Sequence, residues 1–179
     1  MNFLKSLFFR KKILNDMYLF KSFFSNYECK DILKLLKKNS FQTARQFNEG
    51  RKNKELFIND SEIINLFIKR IKEFRFKGLD VIDYSMPLEF YKYDAGDYIE
   101  EHTDASRELD GGSYSNFTAL VYLNDTYIGG ETFFKTSNKD ISPETGSLLL
   151  FNHSLDHEAL EVRLGTKYIY RANWCIMER

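Results

Sequence analysis

Residues 157–171, HEALEVRLGTKYIYR, decide how the second half of the chain folds. The run from about Ala159 to Leu164 reads as a strand, Gly165 as a turn, and Lys167 as the start of the next strand. Side chains alternate across a strand, so Lys167, Ile169, Arg171 and Asn173 share one face. A lone lysine on a strand usually meets solvent. Here its neighbours are tyrosines and branched aliphatics, and the register turns Lys167 and Arg171 into the interior of a barrel.

Working upstream, PLEFYKY (87–93), NFTALVYLN (116–124), ETFFK (131–135) and GSLLLF (146–151) are short aromatic and branched runs. They are separated by DAGD, DTYIGG and SPETG. Many short strands with glycine-marked turns predict a β-rich α+β fold, a β-sandwich or jelly roll with helices packed outside. The helices come earlier. FFSNYECKDILKLLKK (23–38) has Ser25 and Glu28 at capping-box spacing and Ile32, Leu35 and Leu36 on one face. NDSEIINLFIKRIKEF (59–74) is capped by Asn59 with Glu62, and Ile64, Phe67, Ile68 and Ile71 recur at helical spacing. The polar, basic stretch between them, SFQTARQFNEGRKNKE (40–55), is a surface loop or an edge strand. A chain of 179 residues, 43% hydrophobic and without a linker or repeat, fits one domain. Within it, residues 1–85 are a helical, basic N-terminal layer and residues 86–179 a β-rich core.

Formal net charge is zero, yet residues 1–75 carry 17 Lys and Arg against 8 Asp and Glu, and residues 76–179 carry 9 against 18. Two readings fit: a basic layer docking on an acidic one, or an acidic cleft that favours cations. Both disfavour a phosphate-tracking surface in the second half, and with it nucleic acid as a partner. Cys29 and Cys175 cannot make a disulfide framework and suit a reducing cytoplasm. The apolar run in MNFLKSLFFRKK is broken by Lys5 and lacks a cleavage site, so it falls short of a signal peptide. No stretch reaches the roughly 18 apolar residues a membrane span needs. The expectation is a cytoplasmic protein with no membrane association.

The chain has three histidines. His102, in EEHTDAS (100–106), precedes Asp104 by two, so a strand continuing through 98–104 projects both from one face. An imidazole beside a carboxylate is two-thirds of the two-histidine, one-carboxylate set that binds Fe(II) and leaves positions open. Alone, such a pair is most often a solvated strand end, and it needs a second histidine from a distant strand. His153 and His157 both qualify, being four residues apart; the neighbouring Glu of an HExxH zinc helix is absent. A cation at Lys167 could then reach a dicarboxylate whose other end chelates the metal.

Five segments in order, FYKYDAGDYIEEHTD, TALVYLND, GGETFF, SPETGSLLLFNH and HEALEVRLGTKYIYR, resemble the prolyl-4-hydroxylase-like branch of the Fe(II)/2-oxoglutarate-dependent oxygenases. The likeness covers about 80 residues, with a weaker extension back to about residue 20. Valine, glycine and lysine at offsets of five, eight and ten from the second histidine fall on Val162, Gly165 and Lys167 only if that histidine is His157. The resemblance implies a double-stranded β-helix, or cupin-like jelly roll, in which His102, Asp104 and His157 hold Fe(II) and Lys167 pairs with the distal carboxylate of 2-oxoglutarate. It gives Tyr93 and Tyr122 hydroxyl contacts to the cosubstrate, places Thr118 and Leu120 on Tyr122's face, makes Thr132 a neighbour, and leaves His153 a structural or supporting place. It implies O2 as co-reactant, ascorbate as auxiliary reductant, and hydroxylation of a prolyl residue in a peptide or protein. Free amino acids and nucleobases are alternative substrates.

Two positions, 173 and 171, bear on substrate. Collagen-type members carry a tryptophan six residues after the lysine, where this chain has Asn173 with Trp174 beyond it. Arg171 either anchors an anionic group or pairs with an acidic neighbour such as Glu131. The rival reading is a jelly-roll module that binds metal without turnover; such a module should have lost a ligand or the lysine, and this chain keeps all four. The loops 104–115 and 40–54 are candidate lids.

Overall fold

The computed structural model describes residues 10–14, 16–44 and 50–179. In chain order the strands are β1 (Arg10–Leu14), β2 (Met17–Phe20), β3 (Gln42–Thr43), β4 (Lys54–Ile58), β5 (Leu79–Tyr84), β6 (Leu88–Tyr93) and β7 (Ile99–His102). They continue as β8 (Phe117–Tyr122), β9 (Ile128–Gly129), β10 (Thr132–Phe134), β11 (Lys139–Ile141), β12 (Leu148–Asn152), β13 (His157–Ala159), β14 (Val162–Leu164) and β15 (Lys167–Glu178). Helix α1 (Asn26–Leu36) lies between β2 and β3, and α2 (Ser61–Glu73) between β4 and β5.

A major sheet runs in the order β1-β2-β12-β8-β15-β6-β4-β3, with β5 also paired to β15. A minor sheet, β11-β10-β13-β7, and the ribbon β14-β9 complete the jelly roll. The long strand β15 shows how one sequence builds two cores. Its residues Tyr170, Ala172, Trp174 and Ile176 point outward against the helices, where Phe67 of α2 meets Tyr170 with ring centroids 4.4 Å apart. Its alternate residues point inward, where Ile169 joins Tyr93, Leu120, Tyr122, Leu149 and Phe151 in a second cluster.

Both helices form where periodicity places them, and both amphipathic faces cover the outer side of the major sheet. In α1, Ser25 and Glu28 make a reciprocal capping box, a contact of about 1 kcal/mol. In α2 the cap is Asp60, not Asn59: its carboxylate accepts from the amides of Glu62 and Ile63, and the fully buried stripe is Ile63, Phe67 and Ile71.

Three further details differ from expectation. The strand expected from Ala159 to Leu164 is two strands in different layers. Between them the Glu161 carbonyl accepts from the Gly130 amide and Leu160 donates to the Glu131 carbonyl, which carries the chain from the minor sheet to the ribbon. The first 85 residues contribute β1 to β5 as well as helices. Loop 105–115 is a hydrogen-bonded hairpin: Leu109 donates to Ser113, Ser115 to Arg107, and Ser106 Oγ to Ser115. Gly111 is also tied to Asp83, and Leu109 is buried. These internal bonds give the hairpin a defined shape. Much of the other candidate lid, residues 45–49, lies outside the described residues, as does the amino-terminal run up to residue 9.

Candidate active site

Strands β7 and β13 pair in the minor sheet with His102 directly opposite His157. The two imidazole centroids are 4.3 Å apart. Asp104 lies just past the end of β7 rather than within it, and its amide is fixed by the His153 carbonyl at 3.1 Å. The Nε2 atoms of His102 and His157 stand 3.9 and 3.7 Å from the two Asp104 oxygens, and one ligand atom from each of the three residues lies within 4.8 Å of the others.

The electronic state of these groups fits a divalent metal. Both histidines donate their Nδ1–H to a backbone carbonyl, His102 to Glu100 at 2.8 Å and His157 to Leu155 at 2.9 Å, which turns each Nε2 toward Asp104. Burial pushes the His157 pKa down to about 4, against a pull upward from Asp104, so the ring is neutral near pH 7. Burial alone would raise Asp104, but Arg171, His157, a Thr118 hydrogen bond and His102 hold it well below the usual carboxylate range. Two imidazoles and one ionised carboxylate are the donor set suited to Fe(II) with open positions.

These three residues open onto a cleft of about 420 Å³, which also reaches Tyr93, Thr118, Leu120, Thr132, Lys167, Ile169 and Arg171. Lys167 lies on the cleft wall, 1% exposed, and donates to the Gly130 carbonyl at 2.7 Å. Its ammonium lies 5.0 and 5.4 Å from the ring centroids of Tyr93 and Tyr122. Burial drives its pKa down to about 7, offset partly by Glu131. The GGET glycines are needed for this approach. Gly130 adopts φ +67°, and a Cβ there would meet Val162 Cγ2 at 2.8 Å and the Lys167 Cδ at 3.3 Å. Burial raises the Tyr93 pKa and that of Tyr122, so both phenols stay protonated and can donate. The Tyr122 hydroxyl is engaged with Thr132 Oγ1 at 2.6 Å, behind the cleft wall.

Other expected residues fall in different places. Thr118 donates to Asp104 Oδ2. Arg171 pairs with Asp104 at 2.8 Å and lies 3.7 Å from Glu89, not with Glu131. Asn173 is 2% exposed and lies outside the cleft wall. His153 is buried, and it reaches the site through its backbone carbonyl, which accepts from the Asp104 amide. Among the wall residues that went unread in the sequence are Tyr91 and Arg51. The alternation of LEFYKY puts Glu89, Tyr91 and Tyr93 on one face and could have identified Tyr91. Arg51 gives no such signal: it comes from the basic stretch, stacks 4.9 Å over Tyr91, and reaches the cleft because Gly50 to Lys52 pairs with β7.

Residues 88–175 match the family model described as the 2OG-Fe(II) oxygenase superfamily. A putative prolyl 4-hydroxylase of Acanthamoeba polyphaga mimivirus is 30% identical over 115 residues, covering 54% of this chain and 47% of that protein. A probable prolyl 4-hydroxylase 3 of Arabidopsis thaliana is 27% identical over 138 residues, covering 70% and 47% respectively. The chain therefore spans about half the length of these curated relatives. In fold it is similar to the viral collagen prolyl hydroxylase of Paramecium Bursaria Chlorella virus-1, with TM-score 0.67 and 23% identity over 90% of this chain and 95% of that one.

Proposed function

We propose, from the match of residues 88–175 to the 2OG-Fe(II) oxygenase family model, that this protein hydroxylates an unactivated C–H bond, that of a prolyl residue in a peptide or protein. The observation that carries the reading is one cleft that joins the His102, Asp104 and His157 cluster to the buried ammonium of Lys167. His102, Asp104 and His157 would hold Fe(II). When bound, Fe(II) with 2-oxoglutarate and O2 supplies the oxidising power, and 2-oxoglutarate leaves as succinate and CO2.

The chain's own residues bind, orient and exclude water. Lys167, protonated, pairs with the distal carboxylate of 2-oxoglutarate, and the Tyr93 hydroxyl donates to the same group. Leu120 and Ile169 line the cleft between that end and the metal cluster, keeping the cosubstrate dry and extended. The cleft wall carries Arg51, Arg107, Lys167 and Arg171 against Glu100, Glu101, Asp104 and Glu158. A divalent ion and a dianion together leave that balance unchanged, so the remaining space suits a neutral group such as a prolyl ring. The two relatives named as prolyl 4-hydroxylases support the same substrate. Ascorbate, as auxiliary reductant, belongs to this reading. So does a reducing cytoplasm, which suits the two free cysteines, of which Cys29 is buried with its pKa pushed up to about 12. No helix among the described residues is long and apolar enough to cross a membrane.

The test is succinate release with Fe(II) and 2-oxoglutarate across proline-rich peptides, free amino acids and oligonucleotides, with mass spectrometry of each candidate product. Turnover coupled to a +16 Da prolyl peptide is expected. Coupling to a free amino acid or base instead would move the substrate, and absence of any 2-oxoglutarate turnover would refute the reaction.

A further inference from the structure

Asp104 is gripped on both oxygens by the major sheet. Thr118 of β8 donates to Oδ2, and Arg171 of β15 donates through Nη2 to Oδ1 at 2.8 Å. The arginine is itself buried, 7% exposed, and its Nη1 lies 3.7 Å from Glu89 Oε2 on β6. Strands β8, β15 and β6 are consecutive in that sheet. A cation is thus clamped between a second carboxylate and the one carboxylate that faces both histidines.

We propose that Arg171 is a positioning residue for the metal centre: it supplies the counter-charge that keeps Asp104 in place before metal binds, and it holds Oδ1 so that Asp104 presents a single oxygen. This rests on the Fe(II) reading above. A buried carboxylate with no cationic partner is costly, and a rigid sheet-borne guanidinium 2.8 Å from Oδ1 meets that need. The same charge repels a divalent ion. Arg171 therefore exchanges some metal affinity for a site that is already assembled when metal and cosubstrate arrive.

The test uses the full chain, stripped of metal by chelation and titrated with redox-inert Mn(II). Arg171→Met keeps most of the side-chain length and removes the charge. The stripped variant should melt below the stripped wild type, and Mn(II) should raise its Tm by more than it raises that of the wild type, because the ion takes over the missing counter-charge. Direct titration should show Mn(II) bound on the order of tenfold more tightly. Comparing the Mn(II)-induced increments removes any effect that comes only from Glu89 losing its partner. With Co(II), the visible absorption bands should change as Asp104 swings to offer its second oxygen. Arg171→Lys keeps the charge but loses the planar fork, and should restore a wild-type Mn(II) increment while the Co(II) bands stay altered. If Arg171→Met is unfolded without metal, recovery by Mn(II) supports the inference and failure to recover at saturation overturns it. Equal or smaller increments in the variant overturn the inference alone. No Mn(II) increment in the wild type overturns the Fe(II) reading and the inference with it.

Discussion

Replacing Lys167 with Met deletes one charge on the cleft wall and touches no candidate metal ligand. Wild-type Lys167 is 1% exposed and its ammonium donates to the Gly130 carbonyl, so a carboxylate that meets it is largely desolvated. Removing one partner of a buried pair costs about 3–5 kcal/mol. At about 1.4 kcal/mol per decade, the KM for 2-oxoglutarate should rise by roughly two to three orders of magnitude while Mn(II) binding persists. A pH arm sharpens the test. Burial pushes the lysine pKa to about 7, far below its ordinary value. In the cosubstrate-free protein the ammonium is therefore lost as pH rises through about 7, and binding of a dianion must first restore the proton. The wild-type KM for 2-oxoglutarate should climb on the order of tenfold from pH 6.5 to 8.5, and Lys167→Met should lose that dependence. Because the unfolded chain holds the lysine proton over the window from about 7 to 10.4, folding stability attributable to this group increases with pH there. Lys167→Arg should recover part of the affinity with no titration in the range. Succinate formation at varied 2-oxoglutarate measures all of this, and a Lys167→Met enzyme with wild-type KM at both pH values would refute the assignment.

The two neighbouring histidines should separate cleanly by Mn(II) titration. His157→Ala should abolish binding, whereas His153→Ala should retain it and lose at most about 10–100-fold in turnover, since the contact from His153 to Asp104 is a backbone carbonyl that alanine keeps. Gly130→Ala places a Cβ 2.8 Å from Val162 Cγ2 at φ +67° and should cost about 1–3 kcal/mol, read as a Tm drop of roughly 3–10 °C together with a raised KM for 2-oxoglutarate. In hydrogen exchange without ligand, the amides of Leu109, Gly112 and Ser115 should be protected by their hairpin bonds; fast exchange at all three would restore loop 105–115 as a mobile lid.

What could be read from the sequence was local, and what could not was set by contacts between distant segments. The capping box of α1 is written in four consecutive residues, and the two faces of β15 in twelve. The motif register that favoured His157 over His153 needs only ten residues, and the structure brings His157, not His153, within reach of His102 and Asp104. By contrast, the break after Ala159 exists because Leu160 and Glu161 bond to the GGET segment thirty residues away. Met17 to Phe20 makes a strand because β12 offers it an edge, and no pattern in four residues announces that partner. Arg171 is the instructive case. Its inward direction follows from alternation, but its partner depends on Asp104 lying just beyond the end of β7, which strand periodicity does not encode.

The lopsided distribution of charge along the chain resolves in the same way. An acidic second half fitted either a docked basic layer or an acidic cleft; the cleft wall is balanced because the basic first half delivers Arg51 to it and because Lys167, Arg171 and Arg107 are among the few cations of the second half. The surplus carboxylates collect elsewhere: Asp125, Glu131 and Glu144 surround a separate depression beside the β9–β14 ribbon, with Arg163 among them. Some first-half cations meet acids across the division, Lys54 at Asp94 and Asp97 and Lys21 at Glu144. These pairs are half-exposed and contribute little to stability individually. Their placement matters more than their strength, since each lies outside the cleft and leaves the buried cations there to face Asp104 and the incoming dianion. A chain with zero net charge can thus sort its charges by depth, with Lys167 and Arg171 buried on the cleft wall and pairs such as Lys21 with Glu144 held at the surface, where water screens them.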